Sequence, residues 1–381
     1  MSQIPAPQPH ASPYPAPATR SSWLGCAFAM SFLLNLAAGV LVVVLCIGLL
    51  FRSVLDSDPA DRLTEKFVSG SKTATDKIAV VTVDGIIMEG LLGHVHKQIE
   101  HAAKDSAVKA IVLRVNSPGG SITASDDLYR KIIALRDGDA DQSLPAKPLV
   151  ASFGSVAASG GYFIAAPAKQ IIAERSTMTG SIGVYASFPN VEKLAKDYGV
   201  SMNTIKAGKI KDSGSMFKAM TTSEQQVMQD MVDDAYNQFL DVVEKGRPKL
   251  TRTKLLARFQ VKPIVPDPKV PRDEKMKEPY ERYIADGGIY TAVEAKRLEL
   301  VDDIGPLDVA VKAAAKAASL GTYRAVSYPK QKTISDLLLG ASNVPPSGSL
   351  LDADRLQSMF TPRMWYLAPG YEVVGRLATQ P

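Results

Sequence analysis

The chain reads as an α/β protein with parallel strand pairing, and three observations lead there. Short β-branched runs alternate with helix-patterned segments through its central part. Glycine-rich turns follow several of those runs. Finally, 46% of its 381 residues are hydrophobic and 22% are charged, which suits a folded core rather than a disordered chain.

The elements follow in order. KIAVVTVDGIIM (77–88) predicts a strand with a turn at Asp84-Gly85. A helix follows over 91–104. VKAIVLRVNSPGG predicts a strand over 109–115 that runs into a glycine turn. SITASDDLYRKIIALRD has helical spacing and a polar start suited to capping. KPLVASFG is a further strand, and GSVAASGGYFIAAP (154–167) is a turn and a small-residue helix. KQIIAER is a strand, and TGSIGVYASF is a turn into extended chain. VEKLAKDYG predicts a helix ending at Gly199, with VSMNTIKAG extended after it. Residues 222–246 form a long amphipathic helix, with Thr222 or Ser223 as its N-cap. TAVEAKRLELVDDIG and PLDVAVKAAAKAASLG predict two helices joined by a short turn.

The ends divide differently. Residues 23–51 carry no Asp, Glu, Lys or Arg. A bilayer core needs about 20 apolar residues as helix, and a cleaved leader has only about 7–15. One uncleaved transmembrane helix is therefore expected. Residues 1–22 read as a Pro-rich tail, 52–76 as a stalk and 77–321 as the folded domain. Within that domain, 248–285 reads as a Pro-rich basic insertion. Residues 322–381 form a C-terminal extension with no assigned element. Arg20 and Arg52 flank the span and do not set its orientation. Cys26 and Cys46 both lie in the apolar run and give no disulfide framework. The net charge of +5 is spread out, which argues against a nucleic-acid partner.

Three glycine turns carry the chemistry: NSPGGS (116–121), AASGGY (157–162) and TGSIGV (179–184). None is a phosphate loop or a dinucleotide fingerprint. Ser159 is not in a Gly-x-Ser-x-Gly elbow motif either. Gly119-Gly120 opens a helix, where unpaired N–H groups favour an oxyanion. Ser159 sits between small residues and a Gly-Gly pair, which suits either tight packing or a nucleophile on a sharp turn. His94, His96 and His101 share a stretch with Lys97 and Glu100 that reads as a solvated face, not a metal site. The base for a serine would be a lysine, and NTIKAGKIKDSGS offers Lys206, Lys209 and Lys211. A free lysine amine, pKa about 10.4, is no base at neutral pH unless desolvated. Each of the three also reads as an ordinary surface lysine.

In this order, VNSPGGS, GSVAASGGYFIA, TGSIGV, KAGKIKD and YTAVEAKRLELVDDIG resemble the short form of the signal peptide peptidase A family. These are membrane-anchored Ser-Lys proteases of the Clp-protease/crotonase superfamily. The resemblance covers residues 75–320 and the N-terminal span. It implies Ser159 as nucleophile, Lys211 as general base and Ser181 as the group that orients the lysine amine. Backbone N–H groups of Gly119 or Gly120, with that of Gly160, would form the oxyanion hole. It also implies repeated ββα units, a homo-oligomer and a groove that binds peptide as an added strand. No cofactor or metal is implied. The soluble part would lie on the extracytoplasmic side of the bacterial inner membrane, acting on remnant signal peptides and other apolar peptides. Asp212 adjoins Lys211, and a carboxylate there favours the charged amine unless it faces away. The chain departs from the resemblance at 248–285 and after 321. Two other readings share these residues: a catalytically silent membrane scaffold or peptide-binding relative, and a crotonase-like acyl-CoA enzyme. Only the protease predicts an acylated Ser159.

Overall fold

The computed structural model describes residues 30–36, 38–43, 63–139, 144–262, 278–330 and 364–368. Two compact units divide the chain at residue 62. In the first, residues 30–36 and 38–43 are helical and expose apolar side chains such as Phe32 and Leu34. Among the described residues no helix is long and apolar enough to cross a membrane. Much of the expected span, residues 23–29, 37 and 44–51, lies outside the described residues, as does the 1–22 tail.

The second unit is built on a mixed, mostly parallel sheet, the α/β arrangement expected. Its strands run Lys66–Gly70, Arg324–Ser327, Lys77–Asp84, Val108–Ser117, Leu149–Ala158, Gln170–Ala173 and Asp303–Ile304. All neighbours pair in parallel except Lys66–Gly70, which runs antiparallel at the edge. The central strands are near-continuous apolar runs because helices cover both faces. On one face Leu307–Ala317 packs Ala310, Val311 and Ala314 against Ile78, Val112 and Val150. The other face is the larger core, to which Gly93–Lys104, Ile122–Asp137 and Thr222–Gly246 contribute.

Strand Leu149–Ala158 outruns its neighbour. Its first half pairs with Gln170–Ala173 and its last three residues with Met178–Gly180. Thr177 and Thr179 donate to the carbonyls of Gly154 and Ala157, both at 2.6 Å, and fix that far end. The glycine turns thus gather at the C-terminal ends of adjacent parallel strands, where open α/β sheets hold their ligands.

Several expectations are corrected. Lys66–Gly70, assigned to the stalk, is a strand paired with Arg324–Ser327, so the folded unit extends past 77–321 at both ends. An edge strand tolerates polar residues, which hides KFVSG from a hydrophobicity reading. The long helix is capped by Thr221, not Thr222 or Ser223. Glu224 N–H donates to the Thr221 hydroxyl and Thr221 N–H to the Glu224 carboxylate, a capping box. Residues 200–208 pair with no strand and are exposed. The first of the two late helices stops at Arg297. Asp302 then accepts the Ile171 N–H at 2.7 Å and Arg247 at 2.6 Å, and Asp303–Ile304 joins the sheet. Of the 248–285 insertion, residues 263–277 lie outside the described residues. Arg258–Val261 and Tyr280–Tyr283 on either side pair antiparallel. Met364–Leu367, in the unassigned extension, is a strand.

Candidate active site

Ser159 stands at the junction of strand Leu149–Ala158 and helix Gly160–Ala165. Its φ of 52° and ψ of −118° lie where few non-glycine residues go. Such strain costs on the order of 1–3 kcal/mol and concentrates at functional positions. The N–H of Ser159 donates to Gly180 O at 2.8 Å, and its carbonyl accepts from Phe163 N at 2.8 Å, so the turn is held on both sides. Ser159 is fully buried, and among the described residues its Oγ has no hydrogen-bond partner. A buried, unpaired hydroxyl on a strained strand-to-helix turn has the elbow geometry of a nucleophile, although the elbow motif is absent from the sequence.

The two glycine turns meet. A Cβ on Gly119, where φ is +103°, would fall 2.7 Å from Gly160 N. Only glycine lets the two chains approach this closely. The N–H of Gly119 is directed to Ser117 Oγ at 3.1 Å. Gly119 O and Ser121 N–H bond to Ile87, both at 2.9 Å, so by strand alternation the N–H of Gly120 faces the opposite edge. The geometry therefore prefers Gly120 over Gly119 as the donor, beside the Gly160 N–H that opens the short helix. Ser121 Oγ accepts the Ala124 N–H at 3.2 Å and caps the helix leading away.

That opposite edge is filled by the chain itself. Met364–Leu367 pairs antiparallel with Gly119–Ser121, Tyr366 lying across from Gly120. Its other edge pairs with Tyr185–Ala186. The Tyr366 carbonyl oxygen lies 2.0 Å from where a Gly119 Cβ would stand and 3.1 Å from a Gly160 Cβ. The Tyr366 ring is fully buried against Phe163 and Phe239, at centroid distances of 5.1 and 4.7 Å. Sequence reasoning missed this segment. MWYL between Pro362 and Pro369 is a four-residue strand signal that could have found it.

Ser181, buried and with φ of 51°, lies one residue beyond the Gly180 carbonyl that holds Ser159. It borders a cavity of about 320 Å³ shared with Tyr185, Gln229, Asp233, Asp286 and Leu367. Burial opposes ionisation of Asp286, but Arg282 and the Gly288 N–H outweigh it and hold the carboxyl below its usual range.

Lys211 is not brought to Ser159. It stands in a segment whose residues 196–211 are all exposed, Ile205 completely so. Asp212 is engaged with other lysines. Its carboxylate pairs with Lys206 and, at 3.2 Å, with Lys218, and the Lys206 hydrogen bond holds it below the usual carboxylate range. Among the described residues Lys211 pairs with no carboxylate. The histidines take other roles: His94 bonds Tyr328 O at 2.8 Å, and His101 packs edge-on to the Tyr328 ring. Glu65, His101 and Asp105 come close enough to share an ion, but the Lys77 amine already bridges the two carboxylates at 2.6 and 2.9 Å.

Comparison with known proteins settles the family. Residues 142–261 match peptidase family S49. A putative protease of Synechocystis is 34% identical over 250 residues, 65% of this chain and 77% of that protein. The chain belongs to peptidase family S49. Protease 4 of Salmonella typhi is 34% identical over 269 residues, 69% of this chain but 38% of its own length. A putative signal peptide peptidase SppA of Enterococcus faecium is 32% identical over 236 residues, 62% of this chain and 59% of that protein. The chain thus spans well under half of the Salmonella relative. Within that family it is similar to proteins of the protease 4 and SppA type.

Proposed function

We propose that this chain is a membrane-anchored serine endopeptidase that cleaves apolar peptides, remnant signal peptides among them. The observation that carries this reading is the buried, unpartnered Ser159 hydroxyl on its strained turn, beside a glycine cradle in which a strand carbonyl is already seated. Ser159 Oγ attacks the scissile carbonyl, and the oxyanion is held by the N–H groups of Gly120 and Gly160. A neutral lysine amine takes the serine proton and returns it to the leaving amine. Water then hydrolyses the ester, the same amine acting as base. Lys211 is that base, and a second copy of the chain supplies it. Its exposed stretch carries Tyr198, Met202 and Ile205 into solvent, as a segment made to be covered would. The Ser181 hydroxyl, which borders the cavity beside it, orients the amine. The site is thus built on a Clp-protease/crotonase-type frame, in a homo-oligomer tethered by residues 23–51 on the extracytoplasmic face of the bacterial inner membrane. The mechanism calls for no metal or cofactor.

The test is hydrolysis of an unfolded apolar peptide by detergent-solubilised protein. Wild type should cleave, and Ser159→Ala and Lys211→Ala should each abolish cleavage with the oligomer intact. An inert wild type would favour a peptide-binding scaffold.

A further inference from the structure

A serine interrupts an apolar helix stripe. Helix Ile122–Asp137 turns Ser125, Leu128, Ile132 and Leu135 inward, at intervals of three and four residues. Ser125 is fully buried, and among the described residues its Oγ has no hydrogen-bond partner. A buried serine in a helix commonly donates to the carbonyl four residues back. Ser125 forgoes that bond. An unpaired buried hydroxyl is destabilising, and alanine would fill the position without that penalty. Such groups are exceptions in native proteins, and catalytic use is one of the physical reasons for keeping them.

The hydroxyl lies against the nucleophile turn. A Cβ on Gly160 would stand 2.6 Å from Ser125 Oγ and 3.1 Å from the Tyr366 carbonyl oxygen. The hydroxyl and a carbonyl in the cradle therefore border the same notch, which only glycine leaves open. Both walls of the notch are fixed. Ser121 ends the glycine strand and caps the helix that carries Ser125. Tyr129, on that helix, packs on Phe163 of helix Gly160–Ala165 at a centroid distance of 5.2 Å.

We propose that the Ser125 hydroxyl is a third donor of the oxyanion hole, beside the N–H groups of Gly120 and Gly160. The inference rests on the protease reading above and deepens its catalytic site. When the bond from Ser159 Oγ to the carbonyl carbon forms, the carbonyl π pair moves onto oxygen, which gains a lone pair and a negative charge. Ser125 donates a hydrogen bond to that oxygen and keeps its own proton. With a ground-state carbonyl in the cradle the hydroxyl is unpaired, so this bond is gained only as the tetrahedral state forms. An interaction of that kind raises kcat and leaves substrate binding unchanged. The helix already holds the donor in place, so no reorganisation accompanies the reaction.

The test is Ser125→Ala in the full-length chain in detergent. Three readouts are taken: hydrolysis of an unfolded apolar peptide, thermal melts, and inhibition by a peptide ending in a trifluoromethyl ketone. The ketone adds to Ser159, and its adduct carries the oxyanion. Ser125→Ala should lower kcat by about 100-fold, the loss typical of one oxyanion donor, with KM within about 2-fold of wild type. Its melting temperature should hold or rise by a few degrees, because an unpaired hydroxyl is gone. The ketone should bind it about 100-fold more weakly than wild type. Ser125→Thr, which keeps the hydroxyl, should recover part of both losses. A Ser125→Ala protein with the kcat of wild type would overturn the third donor and leave the protease standing. A lower kcat with a lower melting temperature and unchanged ketone affinity would make Ser125 a packing residue and overturn the donor as well. An inert wild type would overturn the protease reading and this donor with it.

Discussion

Replacing Gly119 by alanine tests the cradle with one methyl group. Two effects are expected, and a second glycine separates them. Gly119 has φ of +103° and Gly85 has φ of +80°, so alanine is strained at both by about 1–2 kcal/mol. At Gly85 a new Cβ meets nothing within 4 Å. At Gly119 it would stand 2.0 Å from the Tyr366 carbonyl oxygen and 2.7 Å from Gly160 N. A carbonyl bound there must retreat by about 1 Å, and misplacement of that size costs about 100-fold in rate. Gly85→Ala should therefore lower the melting temperature by a few degrees and leave kcat near wild type. Gly119→Ala should lower the melting temperature further, because its Cβ meets the backbone of Gly160 and Tyr366, and should give a kcat at least about 100-fold below that of Gly85→Ala. Peptide hydrolysis beside thermal melts reads both. If Gly119→Ala kept the kcat of Gly85→Ala, the reacting carbonyl would not lie in this cradle.

Three further outcomes follow from the packing around the site. Tyr162→Phe removes the donor to Leu300 O at 2.9 Å and leaves a buried carbonyl unpaired, so unfolding free energy should drop by about 1–3 kcal/mol with kcat unchanged; denaturant titration checks it. Thr221→Ala breaks the capping box and should cost about 1 kcal/mol, seen as early fraying of residues 222–226 by hydrogen exchange. The Asp212 carboxyl is held low first by Lys206 and then by Lys218, so its ion pairs are complete above the ordinary Asp range and are lost as pH falls through the depressed value. Amide protection over residues 203–218, taken relative to intrinsic exchange at each pH, should be steady from about pH 8 to 5 and fall below about pH 4, whereas Asp212→Asn should be poorly protected throughout. Exchange in wild type that ignored acid would contradict that assignment.

Much of the sheet was legible because its strands are apolar runs buried on both faces, such as KIAVVTVD and VKAIVLRV. The helices were legible where amphipathic spacing met a capping residue. What escaped were contacts distant in sequence. The edge strand Lys66–Gly70 takes its place only because Arg324–Ser327 lies beside it, and its own five residues are largely polar. ELVDDIG looks helical, yet Arg247, from another helix, holds Asp302 and turns the chain. At the site, the turns that carry Ser159, Gly119, Gly120, Gly160 and Ser181 lie side by side, while the roles given to these residues came from the family resemblance and not from the turns. The preference for Gly120 over Gly119 required knowing that Ile87 occupies one edge of the glycine strand. The position of Lys211 belongs to no local pattern: residues 196–211 are exposed, and among the described residues Lys211 pairs with no carboxylate.

The most direct measurement is a mixing experiment. Ser159→Ala and Lys211→Ala proteins, each inactive alone, are dissociated, combined in equal amounts and reassembled in detergent. If a second copy supplies the base, some sites regain an intact serine facing an intact lysine. Random assembly then predicts about one quarter of wild-type peptidase activity. Activity in Lys211→Ala alone, or a co-assembled mixture that stays inactive, would contradict the account.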